Sequence, residues 1–177
     1  MAKQLPFYTE PGDITVQVGA GVLIHRCGYL VVRDEKLLTL YVPDEDIYFI
    51  PGGRVNCGTC TQKTVVREVE EETGLIIKED DTELAAIIEY FFTRPTSGSK
   101  CHEIAMYYRA NLPENAVIPE NELDGAQFPF VWIPLKDIRD YNIKPAFVPD
   151  HLEILEGGLK HIVHYEDGFE ISHVAAS

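Results

Sequence analysis

From Ile14 to Ile24 the chain alternates apolar and polar positions and then runs apolar, and two β-branched or leucine-rich segments follow at Tyr29 to Arg33 and Leu37 to Val42. A two-residue period puts successive side chains on opposite sheet faces, so this stretch predicts three strands. The polar Asp34-Glu35-Lys36 between the last two makes them a hairpin. Tyr48-Phe49-Ile50 reads as a short strand stopped by Pro51-Gly52-Gly53, and Thr61 to Thr73 has helical composition closed by Gly74. Leu84 to Thr93 and His102 to Asn111 form a second antiparallel pair across the loop Arg94 to Lys100. Phe130 to Ile133 is a further strand, Pro134 to Arg139 and Val148 to Leu155 are helical, and Lys160 to Tyr165 is a last short strand. Paired strands with few helices between them indicate an α/β fold built on a mixed sheet rather than a regular βαβ array.

Composition narrows the class. The 177 residues are 45% hydrophobic and 25% charged, without repeats or a Ser/Gly/Pro linker, which suits one domain over residues 1–177 with a single core. The formal charge of -14 is the wrong sign for gripping a phosphate backbone, so nucleic acid is not an expected partner, although a small phosphate ester bridged by a metal is compatible with it. No apolar run approaches the roughly 20 residues of a bilayer span, and Met1 to Ile14 lacks the apolar stretch of a signal peptide, so no membrane contact and a cytoplasmic location are expected. Cys27, Cys57, Cys60 and Cys101 then read as reduced thiols. Cys57-Gly58-Thr59-Cys60 spells C-x-x-C, but a structural zinc takes two regularly spaced ligand pairs, and the expected reading is two thiols in a loop.

The chemistry concentrates in Arg67-Glu68-Val69-Glu70-Glu71-Glu72-Thr73-Gly74. At about 100° per residue, Glu68, Glu71 and Glu72 share one arc beside the apolar edge of Val65, Val66 and Val69, while Glu70 turns away toward Lys63. Like charges at i, i+3 and i+4 near a helix C-terminus repel one another and the helix dipole. A hard divalent cation with oxygen ligands would offset that repulsion.

Gly53-x5-Thr59-x7-Arg67-Glu68-Val69-x-Glu71-Glu72-x-Gly74-Leu75 resembles the signature of the Nudix hydrolases, G-x5-E-x7-R-E-U-x-E-E-x-G-U with U a bulky aliphatic residue. Only Thr59, where the family has Glu, departs from it, and Ile50-Pro51-Gly52-Gly53 with Arg54-Val55 fits the preceding strand and loop. The resemblance covers residues 53–75 closely and Val16 to Pro134 more loosely, including Phe-Val-Trp-Ile-Pro at Phe130 to Pro134. It implies an α/β/α sandwich with a central mixed β-sheet, and hydrolysis of the pyrophosphate linkage of a nucleoside diphosphate joined to another moiety by water activated with Mg2+ or Mn2+. Carried onto this chain, it implies Glu68, Glu71 and Glu72 as metal ligands with the Gly52 carbonyl, catalytic roles for Glu71 and Glu72, and Arg67 as the group that orients the carboxylates.

Thr59-x-x-Gln62 reads as a capping box that starts the helix in place of the missing Glu. Family members recruit a base or further metal ligand from outside the signature, and Glu103 is the acidic candidate for it here; His102, on the opposite face of the same strand, reads as structural. Arg54, Tyr48 and Phe92 are candidate substrate contacts, the rings by stacking a base. The alternative function is a Nudix-like nucleotide-binding or regulatory module with weakened catalysis, to which Thr59 points; retention of all three glutamates points to the enzyme. Family habit suggests a homodimer, and the substrate is left open among ADP-ribose, dinucleoside polyphosphates, nucleotide sugars and oxidised nucleoside triphosphates.

Overall fold

The computed structural model describes residues 12–94 and 97–169. Its first sheet runs, in spatial order, β1 (Thr15–Val18), β2 (Gly21–Leu30), β7 (Lys100–Ala110), β6 (Thr82–Thr93) and β10 (Lys160–Tyr165). The β2/β7 and β6/β10 pairs are parallel and the β1/β2 and β6/β7 pairs antiparallel, so the sheet is mixed as expected. The second sheet pairs β4 (Lys36–Val42) with β3 (Val32–Arg33) and β5 (Ile47–Phe49) along one edge and with β8 (Phe130–Pro134) along the other, and β9 (Ile143–Lys144) joins β5 in parallel. The α-helix, α1 (Thr61–Thr73), packs on the first sheet chiefly against β2.

Local sequence explains the turns. Asp34 and Glu35 have φ of 51° and 57°, the positive pair that a tight hairpin needs to follow strand twist. Gly74 closes α1 at φ 72°, a conformation glycine adopts without a Cβ clash, and its N–H donates to the Glu70 carbonyl at 2.8 Å. Burial follows the period of two along β7, where Cys101, Glu103, Ala105 and Tyr107 are buried and the residues between them are half-buried until Tyr108. Ala105 and Tyr107 belong to a core with Leu37, Ile50, Phe147 and Ile154, whereas Tyr108 packs in a second core with Val65 and Val69 of α1, both fully buried. Each valine contributes about 1.5–3 kcal/mol by leaving water.

Four expectations are corrected. Ile14 to Ile24 is not one strand, because Gly19, at φ 57°, turns the chain between β1 and β2. Pro134 to Arg139 forms a 3-10 turn over Leu135–Asp140, and Val148 to Leu155 splits into 3-10 turns at Val148–Asp150 and Leu152–Leu155 where His151 leaves helical geometry at φ -128°, ψ 45°. The helix starts from Cys60, not from a Thr59 capping box: no side chain caps it, and Gln62 donates instead to the Glu79 carbonyl and to Thr82 Oγ1. No helix among the described residues is long and apolar enough to cross a membrane.

Candidate active site

Because β2 lies beneath α1, the helix turns Glu68 and Glu72 inward, 9% and 7% exposed, leaves Glu71 half-buried and exposes Glu70. Arg67 is a fork between two of the carboxylates. Its Nη1 donates to Glu71 Oε2 at 2.7 Å and its Nη2 to Glu68 Oε1 at 2.5 Å, with a longer bond of 3.3 Å to the Arg54 carbonyl. Glu72 is held separately: Tyr29 on β2 donates its hydroxyl to Oε2 at 2.5 Å, and the Gly52 N–H donates to Oε1 at 3.3 Å. Gly53 is required here because a Cβ would run into the Glu68 carboxylate, and Gly52, at φ 136°, lies against the backbone of Cys27.

Burial sets the electrostatics. It pushes the Glu72 carboxyl up to about 7 in spite of its two donors, with the Glu68 charge adding to the rise. Glu68 is raised by burial and by Glu71, against the pull of Arg67. Tyr29 is raised well above its ordinary value, first by burial and then by the Glu72 charge. An all-oxygen set of mutually repelling carboxylates, two buried and one half-buried, fits a hard divalent cation. The Gly52 carbonyl accepts from Arg26 Nη2 at 3.0 Å and keeps a second lone pair. In the arrangement present, among the described residues, no three acidic, histidine or cysteine side chains converge on one point, since Arg67 draws Glu68 and Glu71 while Tyr29 draws Glu72.

Beyond Ile50 a cavity of about 290 Å³ opens between the two sheets, lined among others by Arg26, Phe49, Tyr90, Phe92 and Glu103. Phe92 stacks on Tyr90 at 4.8 Å, so the ring expected to meet substrate lines this cavity. Tyr48 does not: β5 alternates, sending Ile47 and Phe49 to the cavity and stacking Tyr48 on Tyr41 at 4.6 Å and edge-on to Tyr141. Arg54 is half exposed, paired with Asp13 Oδ2 at 3.4 Å, and its charge reaches Glu103. Glu103 lies on the cavity side of β7, and the charges acting on it are Arg26, Arg54 and Arg94 rather than the α1 glutamates. His102, on the other face, stacks on Phe91 at 4.3 Å. Cys57 is half-buried, Cys60 is exposed and both are free thiols.

The sequence reading did not single out Arg26, Tyr29 or Glu122. Arg26 signals itself only as a charge inside the largely apolar strand Gly21–Leu30. Burial opposes its charge, and Glu103 heads the groups that outweigh that effect. Glu122, 8% exposed, accepts the Phe128 N–H at 3.0 Å in a loop whose Leu123 N–H donates to the Glu72 carbonyl, and its charge reaches Tyr29. Nothing in its sequence surroundings distinguishes it from an exposed loop acid.

Comparisons with known proteins agree with this architecture. The chain is 40% identical over 52 residues to an ADP-ribose pyrophosphatase of Methanocaldococcus jannaschii, a match covering 28% of this chain and 31% of that one, so the chain spans about a third of the relative's length. Among solved structures, the MutT protein of Bacillus halodurans superposes with a TM-score of 0.62 at 19% identity over 83% of this chain and 93% of that one. An ADP-ribose pyrophosphatase of Streptococcus suis gives 0.51 at 15% identity over 80% and 98%. At these identities the structures show a common fold. The NUDIX domain family profile matches residues 15–156, most of the chain, and the protein therefore belongs to the Nudix family.

Proposed function

We propose that the protein is a Nudix pyrophosphohydrolase that cleaves the diphosphate bridge of a nucleoside diphosphate derivative with Mg2+ or Mn2+ as cofactor. The observation that carries this reading is the clamped set of carboxylates on α1: Arg67 holds Glu68 and Glu71, while Tyr29 and the Gly52 N–H hold Glu72, and the Gly52 carbonyl is bonded by Arg26, which lines the inter-sheet cavity. Glu68, Glu71 and Glu72, with the Gly52 carbonyl, would hold the ion. When bound, the ion would offset the diphosphate charge and make water a better nucleophile toward phosphorus.

Each residue has its own part in this scheme. Arg67 orients Glu68 and Glu71, and its charge opposes the burial that raises the Glu68 carboxyl. Tyr29 and Gly52 favour the ionised form of Glu72 against its burial. Arg26 fixes the strand end that carries the glycines by donating to the Ile50 and Gly52 carbonyls at 3.4 and 3.0 Å. Phe92 supplies a ring to the cavity, and Arg54 a cation beside it. ADP-ribose heads the substrates to be tested, because the relative with the matching segment is an ADP-ribose pyrophosphatase.

The test is a panel of ADP-ribose, dinucleoside polyphosphates, nucleotide sugars and oxidised nucleoside triphosphates, read as phosphate release after a coupling phosphatase. Cleavage of at least one compound with Mg2+ or Mn2+, lost on chelation, is expected. Failure to cleave any of them with either ion contradicts the reading.

A further inference from the structure

Glu103 is 8% exposed, faces the cavity, and makes no hydrogen bond or ion pair with any described residue. Its carboxylate oxygens are not sealed off but are reached from the cavity, and a mostly buried carboxylate without a protein partner is rare in native proteins. Two cations on the cavity wall are engaged with other groups. Lys144 Nζ lies 3.4 Å from Glu166 Oε1, which also accepts the Tyr90 hydroxyl, and Arg26 gives its Nη2 to the Gly52 and Ile50 carbonyls. Glu103 is thus an acceptor left open toward the cavity.

The charges and walls of the cavity say what it suits. Glu45, Glu103 and Glu166 stand against Arg26 and Lys144, so there is no surplus of positive charge to draw in a diphosphate. Phe49 and the stacked Tyr90–Phe92 pair, 26° from parallel, offer flat apolar surface to a ring. A neutral ring system bearing N–H or O–H donors satisfies both features. The charges that act on Glu103 are Arg26, Arg54 and Arg94, and Arg26 in turn feels both Glu103 and Glu72.

We propose that Glu103 is a specificity-determining residue whose carboxylate accepts hydrogen bonds from the neutral nucleoside half of the substrate, through sugar hydroxyls or a base amine. This rests on the hydrolase reading above and assigns the cavity end of the same site. A site built to accept from a donor discriminates strongly against an analogue that lacks it, because the buried acceptor is then left unpaired.

The experiment compares wild type with Glu103→Gln on the panel compound cleaved fastest, and on its 2′-deoxy, 3′-deoxy and deaminated analogues. Glu103→Gln should raise KM about tenfold or more while kcat changes by less than about threefold, the signature of lost uniform binding. One of the analogues should lose a similar factor with wild type and little further with Glu103→Gln, which identifies the donor as sugar or base. A fall of about a hundredfold in kcat at unchanged KM makes Glu103 part of the chemistry and overturns the assignment. Unchanged kinetics in the variant, or wild-type indifference to all the analogues, overturns it as well. These outcomes are distinct from failure of the hydrolase reading, in which wild type cleaves nothing.

Discussion

The Tyr29 hydroxyl donates to Glu72 Oε2 at 2.5 Å, joining the buried strand β2 to the last turn of α1. Two charge-bearing functions meet there. The bond satisfies a phenol that burial keeps protonated, and it stabilises the ionised form of a carboxylate that burial would otherwise neutralise. The backbone continues the link: Glu72 accepts from the Gly52 N–H, and the Gly52 carbonyl accepts from Arg26 at the cavity wall. The α1 carboxylates and the inter-sheet cavity are thereby tied through a single glycine.

Tyr29→Phe should leave the fold intact while moving Glu72 further upward, since it removes the strongest of the interactions that lower it. Stabilisation of the protein by millimolar Mg2+ should therefore develop at higher pH in the variant, as measured by thermal melts with and without the ion across pH 5 to 9. An unshifted pH dependence counts against the link.

The raised Glu72 also sets the sign of a stability profile. Its folded value of about 7 lies above the ordinary 4.5, so between those values the native state holds a proton that the unfolded chain has released. This group's contribution is fully present below pH 4.5 and is lost as pH rises through 7. Chelated protein should lose melting temperature over that interval, and Glu72→Gln should flatten the slope. A slope identical in the two proteins contradicts the assignment.

Glu103→Gln replaces a buried, unpartnered carboxylate whose pKa burial has raised, so at neutral pH the ionised form weakens the fold. The variant should melt about 1–3 °C higher than wild type, a trade of stability against recognition. A lower melting temperature in chelated buffer would mean that Glu103 is a structural partner of Arg26.

How far these features are legible in the sequence depends on the range of the interactions that make them. Thr61 to Thr73 and Gly74 are set by neighbouring residues, and the helix occupies those positions. The second strand pair is carried by its own alternation and was placed within two residues at each end. The capping box at Thr59 fails because Gln62 is captured by Glu79 and Thr82, on a segment that no local pattern brings near. The strand Ile143–Lys144 is two residues long and exists through its parallel pairing with Tyr48 and Phe49, a contact without local signature. At the site, helical spacing reveals the α1 glutamates, whereas Tyr29 and Arg26 acquire meaning only when β2 is laid beneath the helix.

Thr59→Val tests the absence of that cap directly. Thr59 is exposed and its hydroxyl makes no capping bond, so the substitution should change stability by less than about 0.5 kcal/mol in denaturant melts. A loss of about 1–2 kcal/mol, the size of a lost N-cap, would restore the capping role.

The most direct measurement of the account is kcat for Glu72→Gln against wild type on the best diphosphate of the panel, at saturating Mg2+. The glutamine keeps the length of the side chain and an acceptor for Tyr29, and it removes a buried charge, so the fold should persist. The account predicts a fall in kcat of about a thousandfold or more with a much smaller change in KM, because the carboxylate serves charge that develops in the transition state. A variant that turns over as fast as wild type would contradict it.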